Sequence, residues 1–257
     1  MTELKGKIAI ITGATAGIGR ETAKLFAKEG CNLILTGRRE NRLLELKEEL
    51  EHGHGVSVSI HAFDISSRFA CEEFVSSIPE EFREIGILVN NAGVGRGMDK
   101  LHEGSMDDWE EMIDTNVKGL LYITRLIAPG MVKRNIGHII NVGSIAGQEV
   151  YPGGNIYCAS KYAVHAISQA LRMELVDTSL RVTEIAPGMV ETEFSVVRFH
   201  GDKERANNVY KGLDPLTGAD IADLIIFAAS RPAHVQINEV IVMPTAQATA
   251  TIAHRKG

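Results

Sequence analysis

An apolar, β-branched run at Lys7–Thr12 passes directly into a turn with glycines at 13, 17 and 19, then into a helical pattern over 18–29 closed by Gly30. This strand, glycine turn and helix constrain the fold more than any other feature of the chain. The alternation then repeats. Asn32–Thr36 is a second strand, Asn41–Glu51 a charged amphipathic helix, and Val56–Phe63 a run alternating in apolarity. Ile87–Val89 and His138–Val142 are further apolar runs, the latter flanked by longer helical segments. Arg181–Ile185 and Glu239–Met243 are a sixth and a seventh strand. Strands that alternate with helices predict βαβ units and a parallel sheet covered on both faces. Right-handed crossovers then make an α/β doubly wound sheet of about seven parallel strands the expected architecture. Ligands of such sheets sit beyond the carboxyl ends of the strands.

Nothing divides the chain of 257 residues, so one domain over 1–257 is expected. The segment from Glu191 to Thr217 is polar and without a clear period. Loops of that length in compact domains are usually functional or mobile, so a substrate lid with short helices is expected there, a structural excursion being the alternative. A net charge of −6 gives no footprint for nucleic acid or an anionic membrane. No run of about 18 apolar residues predicts a membrane span. The three cysteines (31, 71 and 158) lack metal-ligand spacing, and no metal is expected. Their odd number and the lack of a leader pattern point to the cytoplasm.

Three constellations carry chemistry. The first is the turn Gly13, Thr15, Gly17, Ile18, Gly19 at the start of the first helix. Glycine lets the backbone approach a phosphate, and the helix N-terminus offers free N–H donors. A tight structural turn explains the same residues. The second is Gly37, Arg38, Arg39 at the end of the second strand. An acidic residue here would accept from the ribose 2′-hydroxyl of NAD and repel the 2′-phosphate of NADP. Arginines suit that phosphate instead, with Arg38 the principal clamp, unless both are solvated surface charges. The third is Tyr157 and Lys161, one turn apart on a helix rich in alanine. A tyrosine phenol has a pKa of about 10, and a nearby ammonium lowers it toward a working range. Ser144, at the end of the fifth strand, is placed to donate to a substrate carbonyl. Asn90 ends the fourth strand as a site residue or a strand-linking side chain. After it, Asn91, Ala92 and Gly93 are small enough to admit a ribose.

Thr12 with the glycines, Asn90 to Gly93, Ser144, and Tyr157 with Lys161 together resemble the classical short-chain dehydrogenase/reductases, in that family's order and separations, from about Lys7 to Met243. The resemblance implies a Rossmann-type fold, an NADP(H) cofactor given Arg38 and Arg39, and a homotetramer. It implies that Asp64 accepts from the adenine amino group beside Ile65. Pro187, Gly188, Val190 and Thr192 would flank the nicotinamide, and Lys161 would also bond its ribose. Asn116 would hold a water in a relay from Lys161, a helix-bending polar residue being the other reading.

Within the family, segments 36–39, 109–116, 151–154, 192–199 and 232–238 are most similar to NADP-dependent 3-hydroxy acid dehydrogenases of the L-allo-threonine/serine dehydrogenase and malonic semialdehyde reductase type. A small 3-hydroxy acid needs an anion site, for which Arg198 is the candidate, with a loop-anchoring ion pair as its alternative. Gln148, Tyr151 and Phe194 would line the rest of the pocket. Reductases of a sulfonate aldehyde, a 3-ketoacyl thioester or a bulky ketone share the chemistry. A catalytically silent NADP(H)-binding scaffold shares the fold. The terminal segment 246–257 is expected to reach a neighbouring subunit or fray.

Overall fold

The structure is a computed structural model that describes residues 3–256. Its sheet takes β1 (Ile8–Ile11), β2 (Asn32–Gly37), β3 (Val58–Ala62), β4 (Ile85–Asn90), β5 (His138–Val142), β6 (Arg181–Pro187) and β9 (Glu239–Val242). Their spatial order is β3-β2-β1-β4-β5-β6-β9, and every neighbouring pair is parallel. The expected seven strands are therefore all present, with no end moved by more than two residues.

Each of the sheet's first six strands is followed by the helix its crossover requires. α1 (Gly17–Lys28), α2 (Glu40–His54) and α9 (Gly218–Ala229) cover one face, and α3 (Arg68–Ser77), α5 (Leu120–Arg134) and α6 (Asn155–Glu174) cover the other. β1 shows how one strand serves both layers. Ile8 and Ile10 enter the core with Phe74, Ile123 and Ile127, while Ala9 and Ile11 enter that of Phe26, Ile221 and Ile225. All four are buried, which is why the run carries no polar alternation.

Two features position the site. Between α4 (Met106–Ile113) and α5, residues Asp114–Gly119 form a π-helical turn. Such wide turns concentrate at functional sites. Beyond β6, the polar segment folds into β7 (Val190–Glu191), α7 (Phe194–Arg198), α8 (Lys203–Tyr210) and β8 (Leu216–Thr217). The terminal segment does not extend from the fold. Lys256 N–H donates to Gly212 O, His254 N–H to Ala246 O, and the Arg255 guanidinium to the carbonyls of Val209 and Lys211. Satisfied locally, residues 246–256 dock on their own chain; Gly257 lies outside the described residues. No described helix is long and apolar enough to cross a membrane.

Candidate active site

β1 and β4 are neighbours whose crossovers leave on opposite faces, and a cleft of about 820 Å³ opens above their carboxyl ends. That volume matches ligand sites of drug or cofactor size. Its floor is the glycine turn. Gly13 has φ +67°, and a Cβ there would stand 2.8 Å from the Ala92 Cα. Gly19 does not line the cleft; a Cβ there would collide with Gly13 O and the Asn91 amide, so its role is close packing beneath the turn. Asn91 ties the turn down, its Nδ2 donating to Thr12 O and Gly13 O. The N-cap of α1, Ala16, supplies no side-chain acceptor, and the first turn carries no acidic residue. The amides of Gly17 and Ile18 at this end thus lack the usual cap, and both residues line the cleft. An uncapped helix start over a glycine cradle fits a pyrophosphate.

At the end of β2 the two arginines divide. Arg39 donates from Nε and Nη2 to Thr15 Oγ1, at 3.2 and 2.7 Å, and Nη1 pairs with Glu193 at 2.7 Å. Arg38 is 58% exposed and, among the described residues, reaches only Glu111, at 3.5 Å. The guanidinium bonded to the glycine turn is therefore Arg39, while Arg38 stays largely exposed. Asp64 and Ile65 line the cleft after β3, and Asp64 Oδ1 accepts from the N–H and hydroxyl of Ser66. Ala92 and Gly93 line it after β4. Asn90 itself is buried and donates to Thr124 Oγ1 and Asn141 Oδ1, which makes it the strand-linking side chain.

Tyr157 and Lys161 share the cleft-facing side of α6, and both are buried. The Lys161 ammonium donates to Val142 O at 2.9 Å and lies 5.9 Å from the Tyr157 ring centroid. Burial drives its pKa down to about 8, and the charge of Glu184 opposes that. Burial pushes the Tyr157 phenol well above its ordinary value, against the opposing pull of Arg198 and a hydrogen bond with Ser144. The cation nearest the phenol ring is thus not Lys161. Arg198 Cζ stands 4.9 Å from the centroid, because α7 carries it back over α6. Ser144 is held by Ala146 N–H, which donates to its Oγ. Asn116, at the π-turn, accepts from Val94 N–H and donates to Val94 O and Ser160 Oγ. The wide turn aims its amide inward, where its hydrogen bonds go to Val94 and Ser160.

Pro187, Gly188, Val190 and Thr192 line the cleft beyond β6, as do Tyr151, Phe194 and Arg198. Phe194 packs on Tyr157 with centroids 5.5 Å apart. Arg198 donates to Tyr151 Oη at 2.9 Å, makes no ion pair among the described residues, and has a buried Nε with no partner. The loop-anchoring ion pair is absent; that task falls to Arg96, which forks onto Glu111 and reaches Val197 O. Gln148 is a correction. Its amide turns out of the cleft and donates to Glu239, in the cluster around buried Glu184. Sequence reasoning missed Gln247, whose Oε1 accepts from Met189 N–H on the cleft wall, and Arg255 at its rim. Both come from the tail, and no local pattern marks residues that dock from 44 or more positions away.

The sequence model for short chain dehydrogenases matches residues 7–202. The NADP-dependent 3-hydroxy acid dehydrogenase YdfG of Salmonella typhi is 48% identical over 250 residues, covering 96% of this chain and 99% of its own. The NADP-dependent 3-hydroxy acid dehydrogenase of Schizosaccharomyces pombe is 46% identical over 257 residues, covering 100% of this chain and 99% of its own. A closed form of serine dehydrogenase complexed with NADP+ superposes with a TM-score of 0.91 at 47% identity, covering 97% of this chain and 100% of its own. With the parallel seven-stranded sheet, the glycine cradle and the paired tyrosine and lysine agreeing with these matches, the chain belongs to the short-chain dehydrogenase family.

Proposed function

We propose that the chain is an NADP(H)-dependent oxidoreductase that interconverts a small 3-hydroxy acid, such as L-serine, L-allo-threonine or 3-hydroxypropionate, with its 3-oxo acid or semialdehyde. The observation that carries the substrate class is Arg198. Its guanidinium stands in the cleft beside the Tyr157 ring without a carboxylate partner, and Nε has no acceptor. A half-buried, unmatched cation is costly unless a ligand completes it, and a planar carboxylate fits its fork. The relatives' names agree in substrate class and cofactor.

The cofactor-holding residues divide by place. Gly13, Thr15, Gly17 and Ile18 would hold the pyrophosphate over Gly19. Arg39, with Arg38, would hold the 2′-phosphate. Asp64, Ile65, Asn91, Ala92 and Gly93 would surround the adenosine, and Pro187, Gly188, Val190 and Thr192 the nicotinamide end. When bound, the nicotinamide donates or accepts the hydride. The chain's own residues handle the oxygen and its proton. Ser144 donates a hydrogen bond to the substrate carbonyl, and Tyr157 gives it the proton, taking it back in the reverse direction. An ammonium has three donors, and Lys161 uses one on Val142 O, leaving others for a ribose. Asn116, tied to Val94 and Ser160, lies on the proton's way out. The segment 191–217 acts as the lid, carrying Phe194 and Arg198 onto the substrate. Assembly as a homotetramer is supported by half-exposed apolar side chains at the sheet's β9 end, Phe227 and Ile241. A cytoplasmic setting is supported by three unpaired, buried cysteines.

The direct test is turnover of L-serine, L-allo-threonine, 3-hydroxypropionate and 3-hydroxybutyrate with either oxidised cofactor. Failure on all four rejects the substrate class. Cofactor choice has its own test. Arg39→Ala is expected to weaken NADP+ binding about 10- to 100-fold in calorimetry, the worth of a charge-assisted bond, and to leave NAD+ binding within about twofold. Arg38→Ala should cost less. A reversed order would return the clamp to Arg38.

A further inference from the structure

Glu184 lies on β6 behind the site and is 0% exposed. A carboxylate is seldom buried so completely without a compensating charge. Its Oε2 accepts from His165 Nδ1 at 2.9 Å. Its Oε1 has no hydrogen-bond partner and rests against Gly143, where a Cβ would collide with it. On the next residue back, Val142, the carbonyl receives the Lys161 ammonium. One short piece of backbone therefore has a buried cation at Val142 and a buried anion at Gly143. His165 follows Lys161 by one turn of α6, so the ring that bonds Glu184 and the ammonium on Val142 come from one helix face.

The other neighbours are accounted for. Glu239, on β9, stands 3.5 Å from His165 Nδ1, and the Gln148 amide reaches both His165 and Glu239. Glu239 works against ionisation of Glu184, whereas His165 and Lys161 favour it; burial is the larger, opposing influence. We propose that Glu184 is a positioning residue of the oxidoreductase: its carboxylate, oriented by His165, is the counter-charge that keeps Lys161 protonated and hung on the Val142 carbonyl. This rests on the reading of Lys161 given above. It adds a link from the acid/base pair to the β9 edge of the sheet, on the side away from Asn116.

The test is the titration of Lys161 itself, read from the 13Cε resonances of lysine-labelled, cofactor-free protein and assigned with Lys161→Arg. The three side chains offer ligand atoms within 4.8 Å of one another, so chelator is present throughout. Glu184→Gln is expected to move the Lys161 midpoint down by about one pH unit or more. His165→Gln should move it in the same direction by less, and Glu184→Asp should restore most of it. In turnover, Glu184→Gln should then lose about fivefold or more at pH 8, where most of its Lys161 has become neutral, and much less at pH 6.5. An unmoved midpoint in both Glu184→Gln and His165→Gln overturns the proposal, as does an equal loss of turnover at the two pH values. Should Glu184→Gln fail to fold, the midpoint in His165→Gln decides. A wild type inactive on all 3-hydroxy acids, with a midpoint that still moves, sinks the proposed function and upholds the counter-charge.

Discussion

Tyr157→Phe is expected to lower turnover by about 10³-fold or more while leaving the affinity for NADP+ within about twofold. Positioned acid/base catalysis contributes 10²- to 10⁴-fold, and the substitution removes only the oxygen that performs it. The ring keeps its packing against Phe194 and beneath Arg198, so the fold and the cleft wall persist. The pH dependence follows from burial. A buried phenol with a raised pKa is protonated throughout the neutral range, which suits the donor of the reduction. The reduction rate should therefore stay flat through neutrality and fall only at alkaline pH. Oxidation needs the phenolate and should rise with pH over the same range. Steady-state rates in both directions from pH 6 to 10 check this. Retention of activity within tenfold in Tyr157→Phe would remove the residue from the chemistry.

Arg198→Ala should raise KM for 3-hydroxy acids by about 30- to 150-fold and change KM for an uncharged alcohol of similar size by no more than about threefold. A charge-assisted, bidentate bond contributes about 2–3 kcal/mol once desolvated, which sets that range. The discriminating quantity is the ratio of the two effects, because loss of packing against Tyr151 and Phe194 would penalise both substrates alike. Arg198→Lys should recover part of the affinity without the fork geometry. A further consequence is electrostatic. Arg198 lowers the Tyr157 pKa, so its removal should also move the alkaline limb of the oxidation profile upward. Equal KM changes for acid and alcohol would place the substrate's charged end elsewhere.

The sheet was legible because its strands are buried on both faces. Runs such as Ile8–Ile11 have nowhere else to go, and the glycines after them mark the turn. Boundaries were less so: α1 begins at Gly17 and α2 runs on to His54, since helix ends depend on contacts that lie far off in sequence. The site's residue types were readable from spacing, but their partners were not. Tyr157 and Lys161 lie one turn apart as expected, yet the ammonium is taken by Val142 O from another element. Gln148 follows the strand that bears Ser144 and still faces away, because buried Glu184 and its neighbours offer better acceptors than the cleft does. No pattern within residues 144–151 encodes that pull. α3 is another omission, as its two buried side chains, Cys71 and Phe74, give too faint a stripe to stand out.

The π-turn at Asp114–Gly119 is, in effect, one residue of slack between α4 and α5. An α-helix advances about 100° per residue, so deleting a residue there would let ordinary helix run through while turning everything before it by about that angle. Asn116 would lose its reach to Val94 and Ser160, while the hydrophobic stripe of α5 kept its seat on the sheet. Foldability and function are thus separable at this point: a shortened chain would settle into the same architecture and yet lack the inward amide.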